Sequence, residues 1–261
     1  MPSFADYAPY YDLFYRGKDY AAEATFVLDL LGSHGCQPRN ILELGCGTGG
    51  HAEHFAKAGC SVLGVDLSER MVGKATERFA AMPAGLSGQF RGMQGDASNF
   101  ISPERVDAVV SLFHVASYQT SNEALLGYFR SARSALEPGG LFLFDFWYGP
   151  AVFCDSPQIK ERCEQADDGT KVVRRTCPTL RENENVVEVD FRFVLRGKGV
   201  DVEFGEKHLM RYLFLPEITM LAESTGFKVE EASQWMTGAP LGAMTWYGCA
   251  VLRQLAGEAK S

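Results

Sequence analysis

The chain lacks the features that mark several common classes of protein. Its seven cysteines (36, 46, 60, 154, 163, 177 and 249) include no C-x-x-C pair and show no ligand-like spacing with its five histidines. Neither a metal centre nor a disulfide framework is therefore expected. An odd cysteine count without an export signal points to reduced thiols in a cytoplasm. No stretch is long and apolar enough to span a bilayer. The start, Met1-Pro2-Ser3-Phe4-Ala5-Asp6, lacks a basic region followed by an apolar core. Positive charge is also scarce. A formal net charge of −8 argues against a sequence-independent grip on phosphate backbones, which disfavours DNA, rRNA and tRNA as partners. Repeats and low-complexity tracts are absent. What remains is ordinary globular composition over 261 residues, enough for one large domain or a domain with an insertion.

The richest stretch is Glu43-Leu44-Gly45-Cys46-Gly47-Thr48-Gly49-Gly50. It follows the apolar run Asn40-Ile41-Leu42 and precedes a helix-like segment from His51 to Ala58. A strand, a glycine turn and a helix in that order let a nucleotide-like ligand approach bare backbone. Gly45, Gly47 and Gly49 remove Cβ atoms and permit angles other residues avoid. Cys46, inside the loop where a small residue suffices, reads as packing and not as a nucleophile. A second buried strand, Ser61 to Val65, ends on Asp66, about twenty residues after the first glycine, where such folds bind ribose hydroxyls.

Gly45, Gly47 and Gly50 also satisfy the dinucleotide pattern, so a nicotinamide oxidoreductase and a non-catalytic cofactor-binding relative stay open as alternatives. Two acids favour a different ligand. Glu43, two residues before the first glycine, is placed to bond an ammonium group. Asp96, in Gly95-Asp96-Ala97, ends a third strand over 89–94, where a carboxylate can accept from an exocyclic adenine amine.

The combination E-x-G-x-G-x-G, Asp66 and Gly-Asp-Ala resembles the class I methyltransferases that use S-adenosylmethionine, over roughly Ile41 to Phe144. The resemblance implies that the glycine loop with Cys46 meets the methionine moiety. It places Asp66 and Leu67 at the ribose and Gly95, Asp96 and Ala97 at the adenine. Met71 is expected on the adenine face and Leu112 and Phe113 beside the cofactor.

From Ile41, strands at 41–44, 61–65, 89–94, 106–112 and 141–146 alternate with helices at 50–58, 68–80 and 121–136. That alternation predicts a Rossmann-like α/β fold, a mostly parallel seven-stranded sheet with helices on both faces. Between Trp147 and Leu215 the pattern changes to period-two strands (171–175, 186–194 and 208–214), which predicts an antiparallel β insertion. Pro216 opens a helix over Glu217 to Ser224 that stops at Gly226. Strands at 227–231 and 245–252 complete the sheet. The expected organisation is a lid and packing helix over 1–39, a cofactor-binding core over 40–146, an acceptor-side insertion over 147–215, and completion of the core sheet over 216–261.

Methyl transfer from a sulfonium requires an acceptor atom held in line, water excluded, and the acceptor unprotonated. In open α/β sheets that site lies above the carboxyl ends of the strands. Strand four leads into His114 and Tyr118, and strand five into Asp145, Trp147 and Tyr148. His114, Tyr118, Asp145 and His208 are the candidate bases or positioning groups, and Trp147, Tyr148, Arg211 and Tyr7 candidate acceptor contacts. His34, His51 and His54 read as surface residues. Tyr7, Tyr11 and Tyr15 stand before the fold proper, where a lid over the sulfonium would gain roughly 1–2 kcal/mol from aromatic rings on a cation. Tyr11 and Tyr15 are expected against the cofactor.

A narrower resemblance covers most of the chain. The N-terminal Tyr-Asp-Leu and Gly-Lys-Asp-Tyr, the Trp after strand five, the insertion before a Leu-Phe-x-x-Glu helix, and a Gly-Phe strand look like N-methyltransferases of nucleotide-linked amino sugars. Where those enzymes carry a histidine just past strand four, this chain places Tyr118. The implied partner is a small nucleotide-linked sugar methylated at an amine. A sugar hydroxyl or another small metabolite remains as the alternative acceptor, and a homodimer is compatible with the sequence.

Overall fold

The structure, a computed structural model, describes residues 13–166, 169–197 and 200–255. Tyr7 and Tyr11 lie outside them. The first helix of the fold proper, α1 (Tyr20–Ser33), starts where the Asp19 carboxylate accepts from the Ala22 amide at 2.9 Å. Its apolar spacing buries Ala24, Val27 and Leu31. Then come β1 (Asn40–Leu44), α2 (Gly50–Lys57), β2 (Ser61–Asp66), α3 (Glu69–Ala80), a short α4 (Ala84–Ser87), β3 (Phe90–Gln94), β4 (Val106–Ser111), α5 (Asn122–Ala135) and β5 (Leu136–Tyr148). The strands β3-β2-β1-β4-β5 lie side by side in that order, all parallel. β11 (Tyr247–Gln254) runs antiparallel against β5 and carries β10 (Phe227–Gln234) on its outer side. Those seven strands form the sheet predicted from the alternation.

Successive side chains on a strand face opposite ways, so each strand feeds two cores. Leu42, Leu63, Val109, Phe142, Phe144 and Leu252 pack on one face with α5 (Leu125, Tyr128, Phe129) and α7 (Leu215–Ser224; Ile218, Ala222). Ile41, Val62, Val110, Leu143 and Val251 pack on the other with α1 and α2 (Val27, Leu31, Phe55). Phe129, Phe142, Phe144 and Phe227 meet ring to ring, and truncating one such buried ring costs about 3–5 kcal/mol. Pro216 sits in the first turn of α7, and Gly226, with φ of +79°, lies just beyond its end.

The insertion runs from α6 (Gly149–Cys154) through β6 (Lys160–Gln165), β7 (Lys171–Arg181), β8 (Val186–Gly197) and β9 (Val200–Leu213). The four strands pair antiparallel in chain order. They join the main sheet where Trp147 and Tyr148 of β5 pair in parallel with Tyr212 and Leu213 of β9. Two features differ from the sequence reading. β6 has no apolar alternation to announce it, because both of its faces are largely exposed. β7 continues through Pro178, which period-two reading treats as a break. Pro178 lies beyond the last β6 pair, Lys160 with Thr176, so on that side β7 is an edge and no ladder N–H is required. Among the described residues no helix is long and apolar enough to cross a membrane.

Candidate active site

A cavity of about 990 Å³ opens above the carboxyl ends of β1, β2, β4 and β5 and extends along the inner face of the insertion. The glycine loop forms one wall. Gly45, Gly47 and Gly49 all have positive φ (78°, 53° and 77°). A Cβ at Gly45 would lie 2.3 Å from Val115 Cγ2, whereas one at Gly47 would meet no protein atom within 4 Å and would occupy the cavity edge. The Asp66 carboxylate accepts from the Gly47 amide at 3.0 Å and from the Ser68 amide at 2.8 Å. Burial pushes Asp66 above the usual carboxylate range, and those two amides hold it partly back. Leu67 and Met71 line the same wall. Gly95, Asp96 and Ala97 follow, with Asp96 Oδ1 accepting from the Ser98 amide and hydroxyl at 2.8 Å each.

Two loop residues face away from the cavity. Cys46 is buried toward β2, where a Cβ on Gly64 would come within 2.9 Å of its sulfur. Glu43 is 1 % exposed and lies behind the loop. Its Oε1 is 3.6 Å from His51 Nδ1, and its Oε2 is buried without a hydrogen-bond partner. Burial first, then the charge of Asp66, pushes the Glu43 carboxyl up to about 8. His51, expected at the surface, is instead buried: its Nε2 lies 2.8 Å from Glu23 Oε2, and Glu23 pairs with Lys18. The Lys18 ammonium stands 4.2 Å from the centre of the Phe113 ring. His34 is half-buried against Glu231 Oε2 at 3.0 Å.

At the end of β4, Leu112 and Phe113 line the cavity. Phe113 and His114 both adopt φ near +65°, a conformation that costs non-glycine residues of order 1–3 kcal/mol each and collects at functional sites. Asp145, 1 % exposed in β5, holds this turn: its Oδ1 accepts from the His114 amide at 2.8 Å and its Oδ2 lies 3.0 Å from His114 Nδ1. The His114 ring stacks on Tyr247 at 4.7 Å and 17° and lies 6.1 Å from Trp147. All three rings line the cavity, but Asp145 sits behind them. Tyr15 also lines it, edge-on to Phe113 at 4.9 Å.

Tyr118 lies 2.9 Å through its hydroxyl from His208 Nδ1, and His208 Nε2 is 3.2 Å from Glu206 Oε2. Tyr118 and His208 both face the cavity. Two predicted acceptor contacts are placed elsewhere. Tyr148 alternates with Trp147 along β5 and packs on the sheet core. Arg211 ties β9 to the start of α5 and to α7, donating to the Thr120 carbonyl, Asn122 Oδ1 at 2.8 Å and Glu217.

Sequence reading missed the cations of the insertion. Lys160 and Arg162 of β6 and Arg174 of β7 line the insertion side of the cavity. Arg174 is 7 % exposed, with its guanidinium 4.6 Å from the Phe14 ring centre and an N–H donated to Tyr15 Oη at 3.3 Å. Its signal was register: Arg174 shares a strand face with the fully buried Val172.

These residues fit an adenosyl cofactor. A loop edge open only at Gly47, a buried acid at the end of β2 and a second acid at Asp96 match the groups such a ligand presents. Residues 41–140 match the methyltransferase domain family. Over its length the chain is 34 % identical to the dTDP-3-amino-3,4,6-trideoxy-alpha-D-glucopyranose N,N-dimethyltransferase of Streptomyces venezuelae, covering 93 % of this chain and 97 % of that one. Among solved structures it is similar to DesVI of S. venezuelae (TM-score 0.78, 30 % identity, 97 % and 99 % of the two chains). It is also similar to KedS8, a sugar N-methyltransferase from a Streptoalloteichus species (TM-score 0.78, 25 % identity, 94 % and 93 %). Fold, glycine loop and full-length similarity agree, and the chain belongs to the S-adenosylmethionine-dependent methyltransferases.

Proposed function

We propose that this enzyme methylates the amine of a nucleotide-linked amino sugar. The observation that carries the reading is the positive charge on the insertion side of the cavity. In a chain of net charge −8, Lys160, Arg162 and Arg174 gather on the insertion face. Guanidinium and ammonium groups suit a diphosphate, which links a nucleoside to a sugar. The wall formed by His114, Tyr118 and Trp147 is aromatic with few polar groups, as a sugar pocket would be. The names of the similar enzymes support the same acceptor class.

In this reading residues 40–146 hold S-adenosylmethionine, 147–215 hold the acceptor, and Tyr15 from the segment before residue 40 covers both. Gly45, Gly47, Asp66, Met71 and Asp96 are the cofactor contacts, with Glu43 behind the loop toward the methionine end. When bound, the cofactor supplies an electrophilic methyl group. The protein's own task is to orient the amine, exclude water and remove one proton. Incubation with S-adenosylmethionine and a panel of nucleotide-linked amino and neutral sugars, read by mass spectrometry, tests this. Gain of 14 or 28 mass units (about one or two methyl groups on one nitrogen) is expected on amino sugars. Gain on neutral sugars alone would move the chemistry to oxygen.

A further inference from the structure

We propose that Tyr118, His208 and Glu206 form the proton exit for the acceptor ammonium, with Tyr118 touching the amine and His208 receiving the proton through it. The inference rests on the amine reading above and concerns how the amine is made nucleophilic. The three groups come from two elements far apart in sequence: the turn after β4 and the strand β9 that closes the insertion. Their contacts are Tyr118 Oη to His208 Nδ1 at 2.9 Å and His208 Nε2 to Glu206 Oε2 at 3.2 Å.

The acid at one end fixes the tautomer. A carboxylate can only accept, so His208 presents Nε2–H to Glu206 and leaves Nδ1 as acceptor for the Tyr118 hydroxyl. A hydroxyl that donates still carries acceptor lone pairs, and Tyr118 lines the cavity. An ammonium N–H reaching Tyr118 Oη therefore meets an oxygen whose own proton already points at an imidazole. In the transfer the ammonium N–H bond breaks and its proton joins Tyr118 Oη, while the Tyr118 O–H bond breaks and that proton joins His208 Nδ1. The amine keeps its electron pair, Tyr118 ends neutral as it began, and the imidazolium faces the Glu206 carboxylate. Burial raises the Tyr118 phenol well above its ordinary value, so Tyr118 relays the proton and does not stand as phenolate.

His208 is 1 % exposed, while the Glu206 side chain at the other end keeps 10 % exposure, which gives the proton a way to solvent between turnovers. A product methylammonium needs the same removal before a second transfer, so the route serves both methylations. The other charged and titratable groups facing this chain are Tyr15 and Asp66 beside Tyr118, and Arg174 5.2 Å from the Phe191 ring that lies edge-on to His208.

Three variants and the wild type test the route. In Tyr118→Phe, kcat on a primary-amine nucleotide sugar should fall on the order of a hundredfold, as loss of a positioned proton acceptor does. His208→Asn keeps an acceptor near the Nδ1 position but cannot take the proton. Its kcat should fall at least tenfold near pH 7 with KM little changed, and the deficit should shrink as pH rises and the amine loses its proton unaided. Glu206→Gln should lower kcat near pH 7 less than His208→Asn does, because it acts through His208. Imidazole 15N NMR of the wild type should show His208 as the Nε2–H tautomer, a readout independent of turnover. Wild-type kcat at every pH in folded Tyr118→Phe and His208→Asn, or an Nδ1–H tautomer, would overturn the route and leave the amine reading intact. Wild-type turnover on neutral sugars only would overturn both.

Discussion

The carboxylate that ends β2 ties down the glycine loop: Asp66 Oδ2 accepts from the Gly47 amide at 3.0 Å. The residue expected to hold a ribose is thus also the brace of the loop expected to meet the rest of the cofactor. Replacing Asp66 removes two roles at once, and the two can be separated. Asp66→Ala should lower S-adenosylhomocysteine affinity by at least tenfold in titration calorimetry, beyond a stability loss of about 1–3 kcal/mol for two backbone amides left without their acceptor. Asp66→Asn keeps an oxygen for the Gly47 amide and should recover most of the stability but little of the affinity. Unchanged affinity in a folded Asp66→Ala would remove the ribose role.

Gly47 permits a cleaner comparison. Gly47→Ala forces a side chain into positive φ and places a methyl group at the cavity edge, where no protein atom lies within 4 Å. Gly35, at φ of +76°, has the same backbone demand and equally open space on an exposed turn outside the cavity lining. Both alanine variants should lose about 1 kcal/mol of stability. Only Gly47→Ala should weaken S-adenosylhomocysteine binding. Equal affinities in the two variants would mean that the cofactor does not lie against this loop.

Glu43 links the site to pH. Its carboxyl is raised by burial from an ordinary 4.5 to about 8 in the folded chain. Between those values the native state holds a proton that the unfolded state has lost. The resulting stability is full below pH 4.5 and is lost as pH rises through 8. Glu43→Gln keeps the shape and cannot ionise, so its unfolding free energy in urea titrations should differ little from wild type near pH 4.5 and exceed it at pH 8.5, by on the order of 1–3 kcal/mol. A wild type with a flat stability curve over this range would show that Glu43 is ionised and paired.

The glycine loop and Asp66 were legible in the sequence because their meaning is local. A strand, a turn that needs positive φ, a helix and an acid at the next strand end are neighbours along the chain. The alternation of apolar strands and helices gave the main sheet for the same reason. What stayed hidden depends on contacts across the fold. His51 looks like a surface histidine until Glu23 and Glu43 are seen around it. Tyr118 and His208 are ninety residues apart, and no spacing rule joins them. Trp147 and Tyr148 were both expected in the pocket, yet adjacent strand residues face opposite ways, and only Trp147 lines it. Arg211 is an expected acceptor contact in the sequence, whereas its Nη donors are engaged by Thr120, Asn122 and Glu217.

Arg162 offers the sharpest test of the acceptor end. It lies in β6, exposed and on the cavity lining, so removing its side chain costs little packing. If a diphosphate rests there, Arg162→Ala should raise KM for a nucleotide-linked amino sugar about five- to tenfold, the loss of roughly one charge-assisted contact. S-adenosylhomocysteine affinity should stay as in the wild type. The wild-type KM should also rise with salt, and the variant's should rise less, because exposed charges are screened within a Debye length of about 8–10 Å at physiological ionic strength. Arg175→Ala is the matched control. Arg175 is exposed on the neighbouring strand, pairs with Glu161 across the β6–β7 ladder, and does not line the cavity. Equal KM values for the two variants would place the diphosphate away from β6 and leave Arg174 as the cation to examine. A rise confined to Arg162→Ala, shrinking with added salt, would fix the direction in which the nucleotide leaves the sugar pocket.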